Sequence, residues 1–383
     1  MASDHALMAR AIRLAERGRY TTEPNPRVGC VLVRAGEVVG EGWHQRAGGP
    51  HAERLALDQA GERARGADAY VTLEPCCHHG RTTPCTDALI AAGVARVVIA
   101  MIDPNPCVSG RGVAQLRAAG IGVDEGLLET RAAALNPGFI KRMREGRPFC
   151  RVKLAASLDG RTAMASGESR WITSDAARAD VQRLRARSSA IVTGSGTLLA
   201  DDPSLNVRLP AETLGLGPGE AVRQPLRVVV DSRLRTPPRA RMLALAGEVL
   251  IACVRADPLR RAALEAAGAE VMALSPATAA AGQGQDAPGR VDLVALFAEL
   301  ARREVNEVLV EAGPTLAGAA LQAGLVDELV LYLAPHLMGD FARGLLRLPG
   351  LAEMRQRIPL ELTDLRHLGP DLRLTLRASR AER

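Results

Sequence analysis

Aromatic residues make up only 2% of this chain, too few for a surface on which single-stranded nucleic-acid bases stack. Lysine is almost missing: Lys141 and Lys153 stand alone, so positive charge is carried by arginine. The net charge of +6 over 383 residues is modest and does not mark a polyanionic partner. No stretch approaches the roughly 20 apolar residues of a membrane span. The N-terminus, with Asp4, His5, Arg10 and Arg13, lacks the apolar centre of a secretion signal. Neither nucleic acid nor membrane is therefore expected as a partner, and the cytoplasm is the expected compartment. The seven cysteines are odd in number, with Cys76, Cys77 and Cys85 clustered. That pattern points to a metal site in a reducing compartment rather than to a disulfide framework.

The remainder is ordinary globular protein, 47% hydrophobic and 24% charged, and the length suggests two or three domains. Ala6 to Arg17 carries Met8, Ala11, Ile12 and Ala15 at helical spacing. Strands are predicted at 28–33, 37–42, 70–73 and 96–100, alternating with helices after Pro50 and Pro84. Such alternation implies a mixed three-layer α/β domain. The basic, Gly- and Pro-punctuated stretch from Asn136 to Arg147 reads as a connection, giving domains 1–146 and 147–383. Beyond it, strands are expected at 150–155, 190–193, 226–230, 249–252, 308–311 and 329–333. Ser174 caps a helix over 175–187. The Ala- and Gly-rich run 277–289 reads as a flexible surface loop.

Chemistry concentrates between Pro50 and Cys85. His51, cysteines at 76, 77 and 85, and Glu53 two residues after the histidine are what a zinc-dependent deaminase requires: three protein ligands, an open position and a proton carrier. Zinc lowers the pKa of a bound water from about 15.7 to roughly 7, and a carboxylate moving the protons contributes roughly 10²–10⁴ in rate. Proline ahead of each ligand helix and Gly93 after the second are helix punctuation. His51 and Cys85 are thus expected at helix N-termini, where the dipole favours a thiolate. Cys76 and Cys85 each follow a proline and are the preferred thiolates, but spacing alone leaves Cys77 in contention. In the second half, Thr193-Gly-Ser-Gly-Thr197 and Ala312-Gly-Pro-Thr-Leu-Ala-Gly318 follow apolar strands and precede helices, an arrangement that suits a phosphate or a plain tight turn. Lys153 and Glu311 are charges placed in buried-type strands, where they are costly.

These residues also carry a resemblance. Thr72-Leu-Glu-Pro-Cys-Cys-His-His-Gly-Arg-Thr-Thr-Pro-Cys85, with Asn25-Pro-Arg-Val-Gly29, resembles the deaminase half of the bifunctional deaminase-reductases of riboflavin biosynthesis. Lys153-Leu-Ala-Ala-Ser-Leu-Asp-Gly-Arg-Thr-Ala163, Ser166-Gly-Glu-Ser-Arg-Trp-Ile-Thr173, Ala200-Asp-Asp-Pro203 and Glu311-Ala-Gly-Pro-Thr-Leu-Ala-Gly318 resemble their reductase half. The likeness runs from about residue 4 to about residue 376. It implies a cytidine-deaminase-like fold followed by a dihydrofolate-reductase-like fold. The first would deaminate 2,5-diamino-6-(5-phosphoribosylamino)pyrimidin-4(3H)-one; the second would reduce the ribosyl group to ribityl with NADPH. The cofactors implied are Zn2+ and NADPH, with zinc on His51, Cys76 and Cys85 and the proton shuttle on Glu53. Cys77 departs from the family, where serine is common. Asn25, His44, His78 and Arg81 match pyrimidine and phosphate contacts.

In the reductase half, the resemblance assigns NADPH to Ala155, Trp171, Thr197, Asp201, Ser232 and the turn Gly313, Pro314, Thr315, Leu316, Ala317, Gly318 and Ala319. Substrate falls to Ser169, Arg185, Leu205, Arg208 and Glu311, with Lys153 and Asp201 as the groups that polarise the carbonyl or handle its proton. A homodimer or tetramer through the C-terminal domain is also implied. The competing reading, a tRNA base deaminase with a C-terminal RNA-binding module, calls for interleaved aromatics, in which the chain is poor.

Overall fold

The computed structural model describes residues 2–77, 83–217, 219–277 and 289–378. It divides into two compact units, Met1–Arg147 and Pro148–Arg383. No helix among the described residues is long and apolar enough to cross a membrane.

The first unit runs α1 (Asp4–Glu16), β1 (Gly29–Arg34), β2 (Glu37–Trp43), α2 (Ala52–Ala60), β3 (Asp68–Val71), α3 (Cys85–Ala92), β4 (Arg96–Ile99), α4 (Arg111–Ala118), β5 (Gly122–Glu125), α5 (Glu129–Ala133) and α6 (Pro137–Glu145). The strand order is β2-β1-β3-β4-β5, with β1 antiparallel to both neighbours and β3 to β5 parallel. Side chains alternate across a strand, so the sheet is buried on both faces. Cys30 and Leu32 pack with Ala52, Ala56, Leu89 and Leu116 under α2 to α4. Val31 and Val33 pack with Met8, Ile12 and Phe139 under α1 and α6. Helix α2 lies directly on β2: a Cβ on Gly42 would sit 2.2 Å from the Ala52 carbonyl oxygen, and one on Gly40 would sit 2.1 Å from that of Ala56.

One expectation is corrected here. The stretch from Asn136 to Arg147 is not an open connection but contains α6, with Pro137 in its first turn and Gly146 as a left-handed cap. Its Phe139 is in the core, and buried Asn136 exchanges hydrogen bonds with the Arg27 backbone.

The second unit contains β6 (Phe149–Ser157), β7 (Arg161–Ala163), α7 (Asp175–Arg187), β8 (Ala190–Gly194), α8 (Ser195–Asp201), β9 (Leu226–Val230), β10 (Val249–Cys253), α9 (Pro258–Ala266), β11 (Glu270–Ala273), α10 (Leu293–Arg302), β12 (Glu307–Glu311), α11 (Pro314–Gln322), β13 (Glu328–Ala334), β14 (Arg343–Gly344), β15 (Leu360–Leu368) and β16 (Asp371–Ala378). Its nine-stranded sheet has the order β11-β10-β9-β8-β12-β6-β13-β16-β15. It is parallel from β11 to β13, and β16 and β15 add on antiparallel. Val152 and Leu154 face Phe297 and Ala317 from α10 and α11. Ile191, Leu309 and Tyr332 face Val181, Leu184 and Leu198 from α7 and α8. Both units are therefore three-layer α/β sandwiches. Alternation along β6 sends Lys153 and Ala155 to the α7 face. The predicted loop at 277–289 lies, for residues 278–288, outside the described residues.

Candidate active sites

In the first unit the ligand segments meet above the ends of β1 and β3. His51 occupies the N-cap of α2 in extended conformation, with no capping bond from its side chain, so the imidazole is available elsewhere. Cys85 is the first residue of α3, after Pro84. The donor atoms of His51, Cys76 and Cys85 all lie within 4.8 Å of one another. His51 Nδ1 is 3.2 Å from Cys85 Sγ and 3.5 Å from Cys76 Sγ, and the Cys85 N–H donates to Cys76 Sγ at 3.4 Å.

The bonds from Cys85 and His51 pull the Cys76 thiol down to about 4. Cys85, beside that thiolate and buried, is pushed up. One imidazole nitrogen and two sulfurs form a donor set that suits zinc. Cys77 is half-buried, its thiol pushed up by burial, and stands outside this cluster. Glu53, in the first turn of α2, is 3% exposed. Burial and then the Cys76 charge push its carboxyl up to about 7, against an opposing pull from His51.

His44 is buried edge-on to His51, with ring centroids 5.5 Å apart. Burial lowers its pKa, and a neutral ring with Nδ1 protonated satisfies both contacts. Nδ1–H donates to the Pro50 carbonyl at 3.0 Å, and Nε2 accepts from Asn25 Nδ2 at 3.1 Å. His78 and Arg81 lie outside the described residues.

Sequence reasoning missed Glu74. It is 3% exposed, and its carboxylate accepts from the N–H groups of Asp103, Gly110 and Val113 at 3.0–3.2 Å. An acid closing the apolar run that starts at Tyr70 was the available signal.

In the second unit the parallel strands aim their C-terminal ends at one rim, where ligands bind in sheets of this kind. Glu311 and Lys153 are partners in register. Arg185 grips Glu311 with two bonds, 2.6 and 2.9 Å. Burial lowers the Lys153 pKa, with Arg185 acting in the same sense and Glu311 against it. Exposed Arg208 is held through Asn206 Oδ1 at 3.2 Å. Buried Leu205 has a left-handed backbone, φ 47°.

The two glycine-bearing turns adjoin: the Gly313 N–H donates to Thr197 Oγ1 at 3.1 Å. Helix α8 begins at Ser195 and α11 at Pro314, so Thr315 to Ala319 are helical rather than an open turn. Ala317 is in the apolar core. A Cβ on Gly318 would meet the Arg347 carbonyl oxygen at 2.2 Å, so that glycine answers to helix packing. Ala155 is half-buried two residues beyond Lys153, and Ser169 is half-buried. Ser232 Oγ accepts from the Val291 N–H. Trp171 is 70% exposed under the Arg178 guanidinium. Asp201 ends α8 and engages Arg170, whose guanidinium donates to its carbonyl at 2.7 Å. Asp180, absent from the sequence reading, accepts from Tyr332 Oη and from Arg373, anchoring α7 beneath Arg185.

A half-buried His–Cys–Cys cluster beside a buried acid, joined in one chain to a parallel-sheet unit with a Lys–Glu–Arg rim, fits a zinc-type deaminase fused to a second α/β enzyme unit. Residues 1–101 match the cytidine and deoxycytidylate deaminase zinc-binding region, and residues 148–374 match the RibD C-terminal domain. The chain belongs to the RibD family of riboflavin biosynthesis proteins, which combine a deaminase and a reductase. It is 54% identical to riboflavin biosynthesis protein RibD of Escherichia coli (strain K12) over 97% of this chain and 99% of that protein. Acinetobacter baumannii RibD superposes with a TM-score of 0.88 at 45% identity, covering 98% of this chain and 99% of that one. A Thermotoga maritima diaminohydroxyphosphoribosylaminopyrimidine deaminase/5-amino-6-(5-phosphoribosylamino)uracil reductase superposes at 0.82 with 32% identity, covering 98% of each chain.

Proposed function

We propose that the first unit deaminates 2,5-diamino-6-(5-phosphoribosylamino)pyrimidin-4(3H)-one and that the second reduces the ribosyl group of the product to ribityl with NADPH. The observation that carries the reading is the convergence of His51, Cys76 and Cys85 within 4.8 Å beside buried Glu53. Zinc held by those three side chains supplies the Lewis acidity that makes water a nucleophile near neutral pH. Glu53, poised near 7, takes the proton of the attacking water and returns it to the departing ammonia. Neutral His44 fixes the Asn25 amide, leaving its oxygen to accept from the pyrimidine. His78 and Arg81 complete the contacts in this reading.

In the second unit NADPH supplies the hydride. Lys153 polarises the sugar carbonyl and delivers the following proton, with Asp201 as the second candidate donor. Arg185, Arg208 and Glu311, with Ser169 and Leu205, hold the substrate. Ala155, Trp171, Thr197, Asp201, Ser232 and the Gly313 turn at the start of α11 hold the dinucleotide, whereas Ala317 and Gly318 serve the packing of that helix. The test is metal content together with both half-reactions. Wild type is expected to carry one zinc per chain, release ammonia from the pyrimidine and then oxidise NADPH. Metal-free protein that liberates ammonia at the full rate would refute the reading.

A further inference from the structure

We propose that α4, which contributes no metal ligand, is the clamp that sets the spacing of the two thiolates, with Glu74 and Gln115 as its positioning residues. This rests on the zinc reading above. Cys76 sits on the chain leaving β3 and Cys85 on the first turn of α3, and α4 is fastened to both.

At one end, Glu74 lies two residues before Cys76. Its Oε2 accepts from Asp103 N at 3.1 Å and Gly110 N at 3.0 Å, and its Oε1 accepts from Val113 N at 3.2 Å. Gly110 is the N-cap of α4, so a buried carboxylate closes the helix end where the dipole favours negative charge. Contact there leaves no slack: a Cβ on Gly112 would sit 2.3 Å from the Pro75 carbonyl oxygen and 3.1 Å from Glu74 Oε1.

One turn further on, Gln115 reaches the residues that follow Cys85. Its Oε1 accepts from Thr86 Oγ1 at 2.9 Å, and its Nε2 donates to Asp87 Oδ1 at 2.6 Å. Fully buried Thr86 in turn donates its N–H to the Cys76 carbonyl at 3.2 Å. The helix therefore touches the chain just before one sulfur and just after the other. Groups that orient metal ligands commonly change metal affinity by about 10- to 100-fold; Glu74 and Gln115 act on the ligands through the main chain beside them.

The test uses Glu74→Gln and Gln115→Leu in the full chain. The first keeps side-chain shape and turns an amide N–H2 toward main-chain donors; the second leaves an apolar side chain of similar bulk and removes both bonds to α3. Zinc release to a chromophoric chelator and the sulfur-to-metal absorption of the cobalt-substituted protein are measured, with a cooperative urea transition of the unit that carries the site reporting that it has folded. Each variant is expected to release zinc about 10- to 100-fold faster and to shift the cobalt bands, with the cooperative urea transition retained. The double variant is expected to fall short of the product of the singles, because both act on one sulfur pair. Should Glu74→Gln fail to fold, Gln115→Leu alone decides. Variants that keep the wild-type release rate and cobalt spectrum overturn the clamp, whatever their deaminase rate. If wild type binds no metal, the zinc reading falls and the clamp falls with it.

Discussion

Burial of Glu53 is costly to the fold at neutral pH. Its carboxyl holds a proton up to about 7 in the folded chain, against an ordinary 4.5. A group that binds its proton more tightly folded than unfolded weakens the fold as pH rises between those values. In chelator-stripped protein, the unfolding free energy of Glu53→Gln from urea titration should therefore match wild type near pH 4 and exceed it above pH 7, by about 3 kcal/mol at most. The same variant should lose about 10²–10⁴ in deamination rate while keeping its zinc. Equal unfolding free energies at pH 8 would mean that the carboxyl is not perturbed. Lys153 gives the mirror case: burial lowers its pKa, so the ammonium is lost below the ordinary lysine range. If it delivers the proton after hydride transfer, reductase turnover falls as pH rises through that lowered value. In Lys153→Met the alkaline limb should vanish along with most of the rate. A limb that survives in Lys153→Met would mean that another group delivers the proton.

Elements carry the site through backbone contact as much as through side chains. Gly42 and Gly40 bring β2 against α2 with no room for a methyl group. Gly42→Ala should push α2 outward and take His51 and Glu53 with it, costing about 1–3 kcal/mol. A melt combined with a zinc assay should show both losses together; lost stability with full zinc content would separate the helix position from the ligand. Much of this level is legible in the residues themselves. Helices over 51–60 and 85–92 follow from apolar runs behind prolines, and His51, Cys76 and Cys85 are rare residue types whose positions stand out. Lys153 and Glu311 announce themselves as charges in apolar strands. What stays hidden is long-range or main-chain in origin. No residue type marks Gly110 or Val113 as N–H donors to an acid some forty positions earlier. Helix α6 was obscured by Gly138 and its basic run, although Pro137 and Gly146 are orthodox punctuation. Strands β15 and β16 escaped although Leu360 and Leu362, and Leu372, Leu374 and Leu376, alternate, because the exposed edge strand β15 and its half-buried neighbour β16 carry no continuous buried run to flag them.

At the scale of the whole molecule, each unit has its own apolar cores on both faces of its own sheet, and each candidate site is assembled entirely within one unit. Lesions should therefore be separable. Zinc affinity depends on deprotonated ligands and is lost to chelators and acid. Stripping the metal, or making Cys85→Ser, should abolish ammonia release while NADPH oxidation on supplied 5-amino-6-(5-phosphoribosylamino)uracil continues at its normal rate. Lys153→Met should do the converse, leaving ammonia release intact and stopping nicotinamide oxidation. Mixing the two variants then restores the complete sequence at a rate that rises with protein concentration, since the intermediate must cross between chains through solution. Loss of both activities from either lesion alone would show that the two chemistries depend on one another despite their separate cores.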